Sequence, residues 1–230
     1  MGLTVGLGAS PGGGSKKKSV LDSEYFDVAV KIKQDNRSIT EIPLVDTSKI
    51  TDMSQMFYMC SKLKTVPLLD TSKVTTMESM FYYCYALEEV PNFNTSKVTN
   101  MSNMFYYCSK IKTIPLLDMS NVSRASNMFS NCSSLEHVPE LDVSKISNTY
   151  MSSFLSNTSS LKTCLLVGLK ESLEIHFSQN LEKSSVLHIF NHAQTITTAK
   201  TIKLNKNVFN QLTADEIAIA TQKGFSVVST

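Results

Sequence analysis

The chain has 230 residues, of which 42% are hydrophobic and 18% charged, and its formal net charge is +2. This composition is typical of a globular protein with one sizeable core or two small ones. The small net charge gives no support to nucleic-acid binding, and no apolar run approaches the about 18 residues of a membrane-spanning helix. We therefore expect neither nucleic acid nor membrane insertion.

Residues 1–20 are rich in glycine and end in a lysine cluster, Lys16, Lys17 and Lys18. Such a composition predicts a flexible arm. We interpret the arm as an attachment segment; a plain disordered leader is the open alternative. Glycines interrupt the start and the lysines come last, so no standard secretory signal is recognised. Residues 21–38 follow, and the alternation of Phe26, Val28, Val30 and Ile32 predicts a strand that caps the first repeat.

A 24-residue repeat occupies residues 39–164. Proline, phenylalanine and cysteine each keep this step independently, which makes coincidence implausible. The series are Pro43, Pro67, Pro91, Pro115 and Pro139; Phe57, Phe81, Phe105 and Phe129; Cys60, Cys84, Cys108 and Cys132. One unit cannot bury its apolar stripe alone, so the units should stack. Between Ser147 and Thr158 the register slips by two inserted residues.

Each repeat has two halves of different character. The first is rich in β-branched residues and leucine and carries the proline, which predicts a strand of about three residues. In the second half, Met77, Met80, Phe81 and Cys84 lie at i, i+3, i+4 and i+7, which predicts a short amphipathic helix with Thr75 as its cap. The sequence therefore predicts an α/β solenoid of short parallel strands and short helices.

Residues 165–230 continue with longer, less regular units that we interpret as a C-terminal cap. The apolar patterns and capping residues predict alternating strands and helices. In chain order we expect strand 173–177, a helix from Ser184 or Ser185 to Ala193, strand 201–204, a helix from Thr213 to Lys223, and strand 225–228.

Two ladders of polar or reactive residues have structural explanations. The repeat cysteines lie on the apolar stripe, so we expect buried free thiols. A second ladder consists of Asp46, Asp70, Asn94, Asp118 and Asp142, each with a serine two residues later. Because Asn94 replaces aspartate without breaking the register, we favour capping of a turn over cation binding.

The sequence contains no recognisable catalytic motif, and we expect no cofactor and no metal. His188 and His192 are four residues apart on a predicted helix, but no third ligand accompanies them. Residues 8–16 lack the spacing of a phosphate-binding loop. An enzyme is therefore the least favoured functional class.

Candidate binding residues are of two kinds. Positions that vary inside a strict repeat are not dictated by the fold, and solenoids often bind through such a face. On the strand half these are Thr65, Glu89, Thr113 and His137, with Leu68, Asn92, Leu116 and Glu140 at a second site. On the other half, tyrosines fall beside the apolar stripe and should be partly exposed, which suits protein or sugar contact; packing on the convex flank of the solenoid is the open alternative. They are Tyr58, Tyr82, Tyr83, Tyr106 and Tyr107.

The segment DTSKVTTMESMFYYC, residues 70–84, resembles the BspA-like leucine-rich repeats. The C-terminal stretch NVFNQLTADEIAIATQKGFSVVS is similar to the caps of such proteins from Bacteroides-type genomes and phages. The glycine-rich start resembles some phage virion proteins. The resemblance implies a leucine-rich-repeat solenoid that works by adhesion or protein–protein contact and supplies no catalytic residues.

From this we expect a virion component or surface adhesin that is cytoplasmic before assembly. It would bind a protein or surface glycan of a host cell, and its arm would bind other virion proteins. An intracellular protein-binding scaffold is the alternative.

Overall fold

The computed structural model describes residues 38–43, 45–147, 151 and 153–230. Within these ranges the chain is an α/β protein with short parallel strands and few helices. In chain order the elements are β1 (His137–Asp142), β2 (Thr163–Val167), β3 (Leu173–Glu174), α1 (Lys183–His192), β4 (Lys200–Leu204), α2 (Lys206–Phe209), α3 (Ala214–Gln222) and β5 (Phe225–Ser229). The predicted arm, with Lys16, Lys17 and Lys18, and the predicted strand around Phe26 to Ile32 lie outside the described residues.

Successive coils of the repeat are hydrogen-bonded to one another through the backbone. The Thr75 N–H donates to the Thr51 carbonyl at 2.8 Å, and the Thr99 N–H donates to the Thr75 carbonyl at 2.9 Å. Isolated parallel bridges at the neighbouring position join Thr76 to Asn100 and Asn100 to Arg124. Equivalent residues of consecutive coils therefore lie side by side, as the 24-residue step predicts.

The prediction of a helix in the second half of each repeat is wrong. Alternate N–H groups in this half donate to the next coil, from Met53, Gln55, Phe57 and Met59 to the carbonyls of Thr76, Glu78, Met80 and Tyr82. The intervening N–H groups of Met56, Tyr58 and Cys60 donate to the carbonyl three residues earlier. The same pattern recurs in the next two coils, so this half is a ladder of β-turns, which we call the turn ladder.

Coil spacing explains why turns replace helices. Phe57 and Phe81, one coil apart, have ring centroids 5.4 Å apart, and Phe81 and Phe105 have theirs 5.5 Å apart. An α-helix with its side chains is about 10–12 Å across, so neighbouring helices do not fit at this spacing. Thr75, the predicted helix cap, accordingly donates its hydroxyl to the Thr51 carbonyl of the preceding coil.

The spacing of the apolar residues correctly predicted which side chains are buried, although it predicted a helix where the backbone forms turns. Met77, Met80, Phe81 and Cys84 are fully buried. A turn, like a helix, returns the chain to the same face after three or four residues. The predicted cysteine packing is confirmed: all five cysteines are buried and free. Thiols of the stack donate to carbonyls of the preceding coil, as in the bond from Cys84 Sγ to the Phe57 carbonyl at 3.1 Å.

The strand half is less regular than predicted. In the described residues before β1, parallel pairing in this half is limited to a single bridge, which joins Thr113 to His137. β1 and β2 pair in parallel, and their register shifts between Val138 and Leu141. Pro139 lies in that interval and has no N–H to donate to a ladder. Pro139 therefore interrupts the ladder inside β1 without ending the strand.

The aspartate ladder caps turns, as predicted. Asp70 Oδ1 accepts the Ser72 N–H at 2.9 Å, and Asp118 Oδ1 accepts the Ser120 N–H at 2.9 Å. Asn94 Oδ1 accepts the Ser96 N–H at 3.1 Å in the same way. A neutral amide thus replaces the carboxylate with the same geometry.

The C-terminal part contains a parallel sheet in the order β3–β4–β5. Thr213 begins α3 with a reciprocal capping box to Glu216, and Gly224, at φ +95°, follows its end. β3 is shorter than predicted, and α1 begins after Glu182 rather than at a serine cap. The predicted elements of this part occur in the predicted order, and one helix, α2, was not predicted.

The two-residue insertion is visible in the hydrogen bonds between coils. The Phe105 N–H donates to Met128, 23 residues later, whereas the Phe129 N–H donates to Phe154, 25 residues later. The Ser147 N–H still donates to Ser123, 24 residues earlier, so the insertion lies between Ser147 and Phe154.

Candidate functional site

The strand face carries the variable residues predicted to bind a partner. Thr65, Glu89, Thr113 and His137 are all exposed. His137 pairs with Thr163 in the neighbouring strand, and its Nδ1 lies 2.9 Å from Thr163 Oγ1. The structure thus brings these residues into one row across the coils.

A second row on this face exposes large apolar side chains. Leu68 is 66% exposed and Leu116 is 61% exposed. Leu116 and Glu140 line an open groove of about 450 Å³ together with Asn92 and Asp118. The groove mixes apolar, amide and acidic groups, a combination suited to a protein partner.

The predicted tyrosines lie on the turn ladder and form one connected cluster. Tyr58 stacks on Tyr82 with ring centroids 4.8 Å apart, and Tyr82 stacks on Tyr106 at 4.9 Å. Tyr83 and Tyr107 form a second column at 4.8 Å. Edge contacts join the columns, with Tyr82 and Tyr83 at 4.5 Å and Tyr106 and Tyr107 at 4.9 Å.

Sequence reasoning missed Tyr85, which extends the cluster. Its ring lies 5.4 Å from Tyr83 and 6.2 Å from Tyr107, and the residue is 44% exposed. Because Tyr85 occurs in a single coil, the repeat register gave no signal for it. We call these six residues, Tyr58, Tyr82, Tyr83, Tyr85, Tyr106 and Tyr107, the tyrosine platform.

The environment of the platform keeps its central phenols neutral. Partial burial, with the neighbouring Tyr83, raises the pKa of Tyr82 to about 12. Burial and the same neighbour also raise the pKa of Tyr106. The phenols of Tyr82 and Tyr106 are therefore uncharged at neutral pH.

Two platform residues have an unusual backbone conformation. Tyr83 and Tyr107 have φ of 59° and 61°, in the left-handed region that asparagine and glycine tolerate best. In the next coils Asn131 and Asn157 occupy the equivalent place with φ of 63° and 59°. The inter-coil hydrogen bonds of the turn ladder hold the tyrosines in a conformation that their side chains do not favour.

The asparagines continue the platform as an amide ladder, which sequence reasoning also missed. Asn157 Nδ2 donates to Asn131 Oδ1 at 2.9 Å, and Asn127 Nδ2 donates to Asn103 Oδ1 at 3.1 Å. A signal was present: Asn131 lies 24 residues after Tyr107 in the repeat register, and Asn157 lies 26 after Asn131, as the insertion requires.

The histidine pair predicted on a helix is present in α1. His188 and His192 have ring centroids 4.2 Å apart, and His188 Nε2 lies 3.7 Å from Glu140 Oε2. Burial, with the neighbouring His192, lowers the pKa of His188. Among the described residues no group of three histidine, cysteine, aspartate or glutamate side chains is arranged to hold a metal ion.

No helix in the described part of the chain has the length and apolarity to cross a membrane. The stacked coils and the repeat in the sequence define a repeat-type α/β protein. A family model described as "Mycoplasma protein of unknown function, DUF285" matches residues 26–141 and 113–217, and the chain belongs to this family. The comparison with curated proteins gave no match, and neither did the comparison with solved structures.

Proposed function

We propose that this protein is a non-enzymatic recognition module, a BspA-like leucine-rich-repeat solenoid that serves as a phage virion component or surface adhesin. Its exposed faces bind a protein or glycan of a host cell. The arm with Lys16, Lys17 and Lys18 attaches it to other virion proteins or to the cell surface. The family supports the repeat assignment, since it is associated with BspA-like repeat proteins.

The observation that carries this proposal is the tyrosine platform. Six rings from three coils lie in mutual contact on the outside of the stack. Tyrosine supplies a large, rigid, amphipathic contact area and is enriched at binding hot spots. The turn ladder places a residue at positive φ at this point of each coil, with Met59 at 60° and Asn131 at 63° as the neighbours of the two tyrosines. The fold therefore dictates the backbone but not the side chain, and the aromatic rings of Tyr83 and Tyr107 are available for recognition.

Mass spectrometry of purified virions, combined with surface labelling of intact producing cells, tests the proposal. We expect the chain in purified particles or in the labelled surface fraction. Recovery in the cytosolic fraction alone would contradict it. A deletion of residues 1–20 should abolish incorporation while leaving the thermal unfolding midpoint of the purified protein unchanged.

A second candidate is an intracellular protein-binding scaffold, which the strand face favours. Leu68 and Leu116 expose apolar side chains beside an open groove, as protein interfaces do. Substituting both leucines by asparagine, the residue that Asn92 provides at the equivalent site, should abolish capture of a cytosolic partner if the scaffold is correct. The same variant should keep surface or virion location if the adhesin is correct.

A further inference from the structure

We infer that the groove where the tyrosine platform meets the amide ladder binds a neutral oligosaccharide. This inference rests on the proposed recognition function and names the class of ligand. The groove has a volume of about 330 Å³, near the lower end of the roughly 300–1,000 Å³ typical of small-ligand sites. We call it the asparagine groove. Its lining residues are Tyr107, Ser109, Asn131, Ser133, Asn157, Ser159 and Phe177.

The lining combines flat aromatic rings with amides and hydroxyls. Tyr107 and Phe177 contribute the rings, Asn131 and Asn157 the carboxamides, and three serines the hydroxyls. A pyranose ring has faces of C–H groups, which pack on aromatic rings, and a rim of hydroxyls, which both donate and accept hydrogen bonds. The groove offers a partner for each of these surfaces.

The amide ladder is suited to neighbouring sugar hydroxyls. A carboxamide has two N–H donors and an oxygen with two lone pairs. The bond from Asn157 Nδ2 to Asn131 Oδ1 uses one donor of the first and one lone pair of the second. The ladder fixes both amide planes, so each can still offer a donor and an acceptor to a ligand. Asn157 is exposed, which makes these groups accessible.

The absence of charge among the lining residues indicates a neutral ligand. All seven are uncharged side chains. An anionic sugar or an acidic peptide would require arginine or lysine for charge-assisted hydrogen bonds.

The tyrosine platform extends the groove along the stack. Tyr107, at the end of the groove, contacts Tyr83 at 4.8 Å and Tyr85 at 6.2 Å. Tyr85, which is 44% exposed, therefore lies next to the groove on the preceding coil and can contact a further sugar unit. This arrangement favours an oligosaccharide over a monosaccharide.

A glycan array with the full chain tests the inference. The probes are neutral glucose, galactose and mannose oligomers, the same oligomers with sulfate or sialic acid, and a proline-rich peptide. We expect binding to at least one neutral oligomer, confirmed by isothermal titration calorimetry, with longer oligomers binding more tightly. Binding of charged probes only, or of the peptide only, would overturn the inference.

The key variant is Tyr107→Asn. Asparagine suits the left-handed backbone, as Asn131 and Asn157 demonstrate, so the variant should fold while it loses one aromatic wall. We expect roughly tenfold weaker oligosaccharide binding. The matched control is Lys97→Asn, at an exposed position where the next coil has Asn121 and which lines neither groove, and it should leave this affinity unchanged. An unchanged affinity in Tyr107→Asn would place the glycan elsewhere and overturn the assignment.

These outcomes are separable from failure of the proposed function. A chain that is found on virions or cell surfaces but binds no neutral oligomer contradicts the glycan inference and leaves the recognition function standing. A chain that binds neutral oligomers but is found only in the cytosol contradicts the surface role and leaves the groove assignment standing.

Discussion

The repeat coils and the C-terminal coils both contain residues at positive φ, but they use different residue types there. In the C-terminal part these are glycines, Gly168 at 73° and Gly224 at 95°, whereas the repeat uses side chains such as Gln55, Tyr83 and Asn131. The coil of Tyr83 is hydrogen-bonded to the coils on both of its sides, and such over-determination can hold a disfavoured conformation. Regular stacking therefore frees these repeat positions to carry functional side chains.

The largest expected loss of stability comes from removing one ring of the phenylalanine stack. Phe105 is fully buried, with ring centroids 5.5 Å from Phe81 and 5.7 Å from Phe129. Phe105→Ala should lower the free energy of unfolding by about 3–5 kcal/mol, measured by chemical denaturation. Phe105→Leu, which refills most of the volume, should cost clearly less. Equal losses in the two variants would contradict a stack held by ring packing.

Alanine in place of Gly224, in the C-terminal part, should cause a smaller loss of stability that is still measurable. A Cβ on Gly224 would lie 2.6 Å from the Ile196 carbonyl oxygen. With its backbone at φ +95°, Gly224→Ala should destabilise the fold by roughly 1–3 kcal/mol. The control Gln222→Ala, at an exposed helix position, should leave the thermal unfolding midpoint nearly unchanged. A neutral Gly224→Ala would mean that this turn relaxes freely.

Glycine in the repeat should have the opposite effect. Gln55 is exposed and has φ of 59°, so Gln55→Gly relieves the cost of a left-handed side chain, partly offset by unfolded-chain entropy. We expect a gain of about 0.5–1 kcal/mol in the free energy of unfolding. Lys73→Gly, at an exposed repeat position without positive φ, should not stabilise. Loss of stability in Gln55→Gly would refute the strain argument.

The smallest expected effect is on stability at low pH. Side-chain and backbone hydrogen bonds from Ser72 lower the pKa of Asp70 below its ordinary value of 3.8, and Ser120 does the same for Asp118. The lowered pKa means that this stabilisation is present above pH 3.8 and is lost as the pH falls through the folded-state pKa. The double variant Asp70→Asn with Asp118→Asn copies the natural asparagine at Asn94. It should lose less unfolding free energy than the parent protein as the pH falls, measured by chemical denaturation at a series of acidic pH values. An equal loss in both proteins would mean that other carboxylates cause the acid sensitivity.

The repeat itself, the buried cysteines and the capping role of the aspartates could be predicted from the sequence. Each depends on one residue type recurring at a fixed step, and stacking converts that step directly into contact. The backbone of the second half could not be predicted, because Met77, Met80, Phe81 and Cys84 have a spacing that a helix and a turn ladder both satisfy. Only the distance between coils excludes the helix.

The tyrosine platform and the asparagine groove were predictable only in part. Tyrosines in register, such as Tyr82 and Tyr106, were found because they repeat. Tyr85 and Phe177 were missed because they occur once, and their contribution depends on which coils become neighbours. Function carried by departures from the repeat is the hardest part to see in the sequence.

Hydrogen–deuterium exchange resolved to single amides tests the central claim, that the turn ladder is a rigid scaffold beneath the tyrosines. The N–H groups of Phe81 and Tyr83 donate to the next coil, and that of Tyr82 donates within its own turn. We predict strong protection of all three, comparable with β4 in the C-terminal sheet. Exchange of these amides within seconds, while β4 remains protected, would contradict the claim.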